Sequence, residues 1–76
     1  MKMEYTVNII PEEDGKGYYV MVPALPGCFS QGSTIEEAQK NIVKAIKLHL
    51  KSIREEGEDI PLERRRVLNT VVEVAT

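Results

Sequence analysis

Residues 33–57 carry the one helix-length amphipathic pattern in this 76-residue chain, and it limits the fold more than any other feature. Ser33-Thr34-Ile35-Glu36-Glu37 holds two overlapping capping boxes, Ser33 with Glu36 and Thr34 with Glu37. In such a box a hydroxyl and a carboxylate satisfy the free amide donors of a helix start. The two acids also suit the positive end of the helix dipole. Gly57 offers the left-handed residue at which a helix stops, so a helix is predicted to about residue 56. Glu55 and Glu56 stand where the dipole disfavours acids, which predicts a weak last turn. At about 100° per residue, Ile35, Ala38, Ile42, Ala45, Ile46 and Ile53 share one side, and Lys40, Lys44, Lys47, Lys51 and Arg54 the other. A lone helix with one apolar side must lie on something, and the rest of the chain reads as a small sheet.

Residues 3–10 alternate, with Tyr5, Val7 and Ile9 on one face and Glu4, Thr6 and Asn8 opposite, as in a half-buried strand that Pro11 ends. Glu12-Glu13-Asp14-Gly15-Lys16-Gly17 is a polar link in which Asp14-Gly15 favours a tight hairpin turn. Tyr18–Val22 is rich in β-formers and reads as the returning strand. Pro23 and Pro26 each lack a ladder donor, so Pro23–Gly27 is predicted to be a rigid, extended connector. Cys28–Gln31 gives a short third strand that Gly32 ends. After the helix, residues 58–66 form a charged loop containing Pro61, and Val67–Val74 reads as a last strand able to add beside the first. The predicted architecture is α+β, two layers, in the order β-β-β-α-β: a single domain over residues 1–76 with one helix on a small mixed sheet.

Composition narrows the function. The apolar fraction of 42% suits a folded chain. A chain this short buries little surface, which favours a homo-oligomer or a stable partner. No apolar run approaches the length of a membrane span, and Cys28 is the single cysteine, so no membrane association and a cytoplasmic location are expected. The net charge of −2 argues against broad affinity for nucleic acid.

The run from Gly17 to Cys28, with its aromatic strand and Pro23-Ala24-Leu25-Pro26-Gly27-Cys28 segment, is followed by Gly32-Ser33-Thr34 and Glu36-Glu37-Ala38. Together these resemble the HicB-like antitoxin family over roughly residues 4–60. The resemblance implies a truncated RNase H-like β-β-β-α-β domain. It also implies a type II antitoxin that neutralises a HicA-type toxin, a small basic protein that cleaves mRNA, by occluding it. Many members add a C-terminal operator-binding segment. Here Thr76 follows directly on the fourth predicted strand, so no such segment and no direct operator binding are expected.

Catalytic readings fare poorly. A metal nuclease on this fold needs converging carboxylates. The first strand's centre has none, Glu36 and Glu37 are accounted for by capping, and Glu73 stands alone. Cys28 has no patterned base, and His49, the sole histidine, falls on the helix's apolar side, where packing is the expected role. No cofactor, metal or catalytic residue is assigned. The candidate partner-binding residues are Pro23, Leu25, Pro26, Gly27 and Phe29 of the connector. The acidic groups Glu12, Glu13, Asp14, Glu55 and Glu56 join them, because they would steer a basic toxin. A dimer or tetramer is expected from the sheet's open edges. Two other readings stand beside this one: a stand-alone adaptor, and a minimal RNA-binding protein using the lysine stripe. The stripe lacks interleaved aromatics for base stacking, and Arg64-Arg65-Arg66 reads as a solubilising loop.

Overall fold

The structure is a computed structural model that describes residues 3–63, 68 and 70–76. Three strands, β1 (Asn8–Pro11), β2 (Tyr18–Met21) and β3 (Phe29–Gly32), form an antiparallel meander in the order β1-β2-β3. One helix, α1 (Ile35–Glu55), crosses one face of it. The two-layer α+β arrangement is the one the residue pattern predicts.

Register decides which side chains the helix covers. Ile9 stands opposite Val20, and Val20 opposite Ser30, so Val20 and Ile9 share the face under α1. Val20, Val22, Leu25 and Cys28 meet Ala38, Ile42 and Leu50 in the core, with Met3, Tyr5, Val7 and Ile9 packed against its edge. Leu50 falls outside the predicted apolar stripe. It is buried because the alternating residues before β1 reach the helix's last turns. Ile35, within the stripe, is 44% exposed.

The helix ends as its sequence dictates. Of the two candidate caps, Thr34 serves: its hydroxyl accepts the Glu37 N–H at 3.1 Å while its backbone is extended. At the far end Glu58 N–H donates to Ile53 O and Gly57 N–H to Arg54 O, each at 3.1 Å, with Gly57 at φ 72°. These are the two bonds of a Schellman closure, and they compensate for the unfavourable Glu55 and Glu56. Close approach at the other end requires Gly32, where a Cβ would overlap the backbone of Glu37 and Ala38. Asn41 Nδ2 then donates to Gln31 O at 2.7 Å, tying helix to β3.

Three expectations are corrected. Regular pairing in the first strand begins at Asn8, not residue 3, because β2 ends at Met21 and the chain turns away, leaving Met3–Val7 no ladder partner. Pro23–Gly27 is folded, not extended. Leu25 N–H donates to Val22 O at 3.1 Å and Cys28 N–H to Leu25 O at 3.0 Å, giving two consecutive turns with a proline at the second position of each. Gly27 takes φ 84°, and Val22 N–H closes the loop on Cys28 O at 3.1 Å. Finally, the strand expected at 67–74 is absent among the described residues: Leu68 and residues 70–76 belong to no strand. A period of two is a side-chain pattern, whereas a strand exists only through a hydrogen-bonded neighbour. Among the described residues the sheet is therefore wholly antiparallel. Arg64, Arg65, Arg66, Val67 and Asn69 lie outside the described residues.

Candidate functional site

The sheet face turned away from α1 has no second layer. Cross-strand pairing places Ile10 opposite Tyr19, and Met21 opposite Phe29, and these four side chains lie on that face. Phe29 is 71% exposed, and Tyr19 and Met21 are exposed beside it. A strand that is apolar on both faces signals a sheet meant to be covered twice. Tyr18–Met21 shows that signal, with Val20 inward and Tyr19 and Met21 outward. Ile10, Tyr19 and Met21 thus join the candidate site on structural grounds. The alternation of Tyr19 and Met21 with Val20 was a clue to their sharing a face, and only the pairing of Ile10 with Tyr19 adds Ile10 to it.

The connector borders this face at one end. Pro23, Pro26 and Gly27 are exposed and, with Tyr19, Met21 and Phe29, line a shallow apolar hollow. Leu25 is fully buried, so it anchors the double turn from below and offers no contact surface. The acidic hairpin borders the other end: Glu12, Glu13 and Asp14 line a second hollow together with Ile10 and Tyr19. The hairpin's shape is set locally. Gly15 N–H donates to Glu12 O at 3.0 Å, Lys16 N–H to Asp14 Oδ1 at 2.9 Å, and Glu12 N–H to Gly17 O at 2.9 Å. One surface therefore runs from an acidic loop, across an aromatic and aliphatic sheet face, to a rigid proline turn.

Glu55 and Glu56 do not join it. Gly17 packs on Gly32, which puts the hairpin at the helix's N-terminal end. The 21-residue helix carries Glu55 and Glu56 about 31 Å away. The basic residues Lys40, Lys44, Lys47, Lys51 and Arg54 are all exposed along the helix, clear of the open sheet face.

The chemistry of the remaining polar groups is structural. Cys28 is 4% exposed and burial pushes its thiol pKa up, the opposite of nucleophile activation. His49 is half-buried and lines a depression together with Gly27, Cys28, Phe29 and Leu48. Among the described residues no three His, Cys, Asp or Glu side chains are placed to hold a metal ion together. Glu63 is held below the usual carboxylate range because the Thr6 hydroxyl donates to Oε2 at 2.7 Å and the Thr6 N–H to Oε1 at 2.6 Å. Tyr5 donates to Pro61 O at 2.6 Å; its pKa is raised, chiefly by burial, with Arg54 opposing and Glu63 adding to the shift.

A model of the HicB-like antitoxins of bacterial toxin–antitoxin systems matches residues 5–74, nearly the whole chain. The chain belongs to the HicB-like antitoxin family. An UPF0150 protein of Thermoplasma acidophilum is 53% identical over 60 residues, covering 78% of this chain and 84% of that one. A Synechocystis UPF0150 protein is 48% identical over 59 residues, covering 78% and 73% respectively. The Photorhabdus laumondii protein named Antitoxin HicB 1 is 38% identical over 60 residues, 79% of this chain but 38% of that longer protein. Membership agrees with a general antitoxin role, exercised by binding protein. Among the described residues no helix of this HicB-like chain is long and apolar enough to cross a membrane.

Proposed function

We propose that this HicB-like protein is the antitoxin of a type II system and neutralises a HicA-type, mRNA-cleaving toxin in the cytoplasm by covering it. The observation that supports this reading is the continuous surface on the open side of the sheet. Its centre is apolar and aromatic, as the anchoring core of a protein interface requires. Glu12, Glu13 and Asp14 at its border would attract a basic partner and speed its arrival. The rigid double turn at Pro23–Gly27 holds Phe29 and the two prolines in place before binding, which lowers the entropic cost of association. Inhibition is stoichiometric. Leu25 acts through the fold, and Glu55 and Glu56 act only as distant charges.

The test is co-expression with a small basic HicA-type ribonuclease. The expected result is restored growth and a complex that co-purifies in fixed ratio. A folded chain that neither binds such a toxin nor restores growth would remove the proposal. Measuring short-RNA binding by the purified chain across salt concentrations addresses the lysine stripe, and tight low-salt binding would favour that alternative.

A further inference from the structure

β3 is an edge of the sheet, and its hydrogen bonds show which backbone groups it leaves unused. Val22 N–H donates to Cys28 O at 3.1 Å. Antiparallel pairs alternate between bonded and unbonded, and the next partners along the ladder are Met21 with Phe29, Val20 with Ser30 and Tyr19 with Gln31. Ser30 therefore turns its backbone groups toward β2, and Phe29 and Gln31 turn theirs outward. The bond from Asn41 Nδ2 to Gln31 O, at 2.7 Å, fits this assignment. Among the described residues Phe29 N–H, Phe29 O and Gln31 N–H meet no partner.

These three groups select one kind of neighbour. In a parallel ladder a single residue donates its N–H to one carbonyl and accepts, at its own carbonyl, from the N–H two residues further on. Phe29 O and Gln31 N–H form that pair, and Phe29 N–H remains for the carbonyl two residues earlier in the incoming strand. An antiparallel neighbour would also need Gln31 O, which Asn41 already engages. Two copies of β3 related by a two-fold axis must run antiparallel, so the edge favours a strand from a different polypeptide. The side chains nearby add chemistry. Incoming residues aligned with Cys28 and Ser30 face the helix, as Cys28 and Ser30 do. There Phe29, Ala45, Leu48, His49 and Ser52 line an open hollow of about 290 Å³. Leu48 is 70% exposed and has no role in the core. Lys44 and Lys51 lie one turn to either side of it, both exposed, and no acid falls between Glu37 and Glu55.

We propose that β3 accepts an extended acidic segment of another protein as an added parallel strand. α1 runs back along β3, with Asn41 at Gln31 and Ser52 at the Gly27 end. An incoming residue aligned with Cys28 therefore places an apolar side chain in the hollow against Leu48. Acidic residues two positions before and after it come beside Lys51 and Lys44. The backbone bonds supply affinity, and the hollow and the two lysines supply selection. A nucleic acid or a helix could use the lysines but not the edge. The charge preference is opposite to that of a basic toxin, and the contact lies on the backbone edge and helix side of β3, so the inference does not rest on the toxin-binding proposal.

The probe is the blocked peptide acetyl-Glu-Val-Leu-Val-Glu-Val-amide, titrated into the isotope-labelled full chain and followed by NMR with amide hydrogen exchange. Its leucine suits the hollow and its two glutamates the lysines. Saturable binding is expected. The Phe29 and Gln31 amides should gain roughly tenfold or more in protection, while the Ser30 amide, already turned to β2, stays unchanged. Methylating the backbone nitrogen of the second glutamate removes the donor to Phe29 O and should abolish binding. Replacing both glutamates by lysine should weaken binding roughly fivefold or more. K44E/K51E, altered at two exposed positions, should reverse that charge preference with an unchanged far-UV circular dichroism spectrum. No saturable change at millimolar peptide overturns the proposal. So does binding that leaves the Phe29 and Gln31 amides unprotected, that survives the methylation, or that ignores the peptide's charge. Protection of those two amides in the free chain that grows with its concentration, as when a second copy holds the edge, overturns it too.

Discussion

Cys28 illustrates how one residue's chemistry follows from its seat. The double turn delivers it beneath the sheet at 4% exposure, and burial raises its thiol pKa. Native protein at neutral pH should therefore react with iodoacetamide on the order of tenfold or more slowly than the urea-unfolded chain. Equal rates, followed by mass spectrometry, would contradict the burial. Glu63 behaves in the opposite sense. Its folded pKa lies below its unfolded value, so the stabilisation it lends to the contact between residue 63 and Thr6 is complete above the ordinary glutamate range. It is lost as pH falls through the folded value. The protection of the Thr6 amide, its exchange rate set against that of an unstructured chain at the same pH, should fall over that acid window in wild type, whereas Glu63→Gln should remove this dependence.

At the scale of elements, helix and sheet are joined by small, specific requirements. Thr34→Ala removes the cap on the Glu37 N–H and should cost about 1 kcal/mol in urea unfolding. Ser33→Ala should cost far less, because Ser33 is not the cap. Gly32→Ala should cost roughly 1–3 kcal/mol, since the added methyl meets backbone of α1 and not a movable side chain. The helix, its cap region and its Gly57 stop were legible in the residues, because capping and left-handed closure are local. The hairpin was legible for the same reason, although its turn is centred on Glu13 and Asp14 with Gly15 following at positive φ, and not on Asp14-Gly15. The connector was misjudged as extended because prolines exclude a ladder without saying which turn replaces it. Only the bonds among Val22, Leu25 and Cys28 settle that.

For the whole molecule, the proposed partner surface joins residues distant in sequence, and its parts should fail differently when altered. Neutralising Glu12, Glu13 and Asp14 together should slow association with a basic toxin and flatten its salt dependence, with little change in dissociation. Phe29→Ala should act mainly on dissociation, with a loss of roughly tenfold or more in affinity, corresponding to the 1–2 kcal/mol or more of an anchoring aromatic. Surface plasmon resonance separates the two rates, and identical effects from both variants would argue against the assigned surface. Of the residues marked from sequence, Pro23, Pro26, Gly27, Phe29 and the hairpin acids share this surface. Leu25 is core, and Glu55 and Glu56 lie at the far end of α1. Ile10, Tyr19 and Met21 were overlooked because facing in or out depends on cross-strand register.

The amino-acid order alone determined what depends on neighbours along the chain: one capped helix with an apolar stripe, a tight hairpin, short strands and a family resemblance carried by contiguous motifs. Tertiary structure alone decided what depends on contacts across the chain. It selected Thr34 over Ser33, buried Leu50 and Leu25, separated the two acidic groups and left residues 70–76 without a strand partner. The reason is physical: dihedral preference and capping act over a few residues, whereas burial and strand pairing require a second surface that the local sequence does not contain.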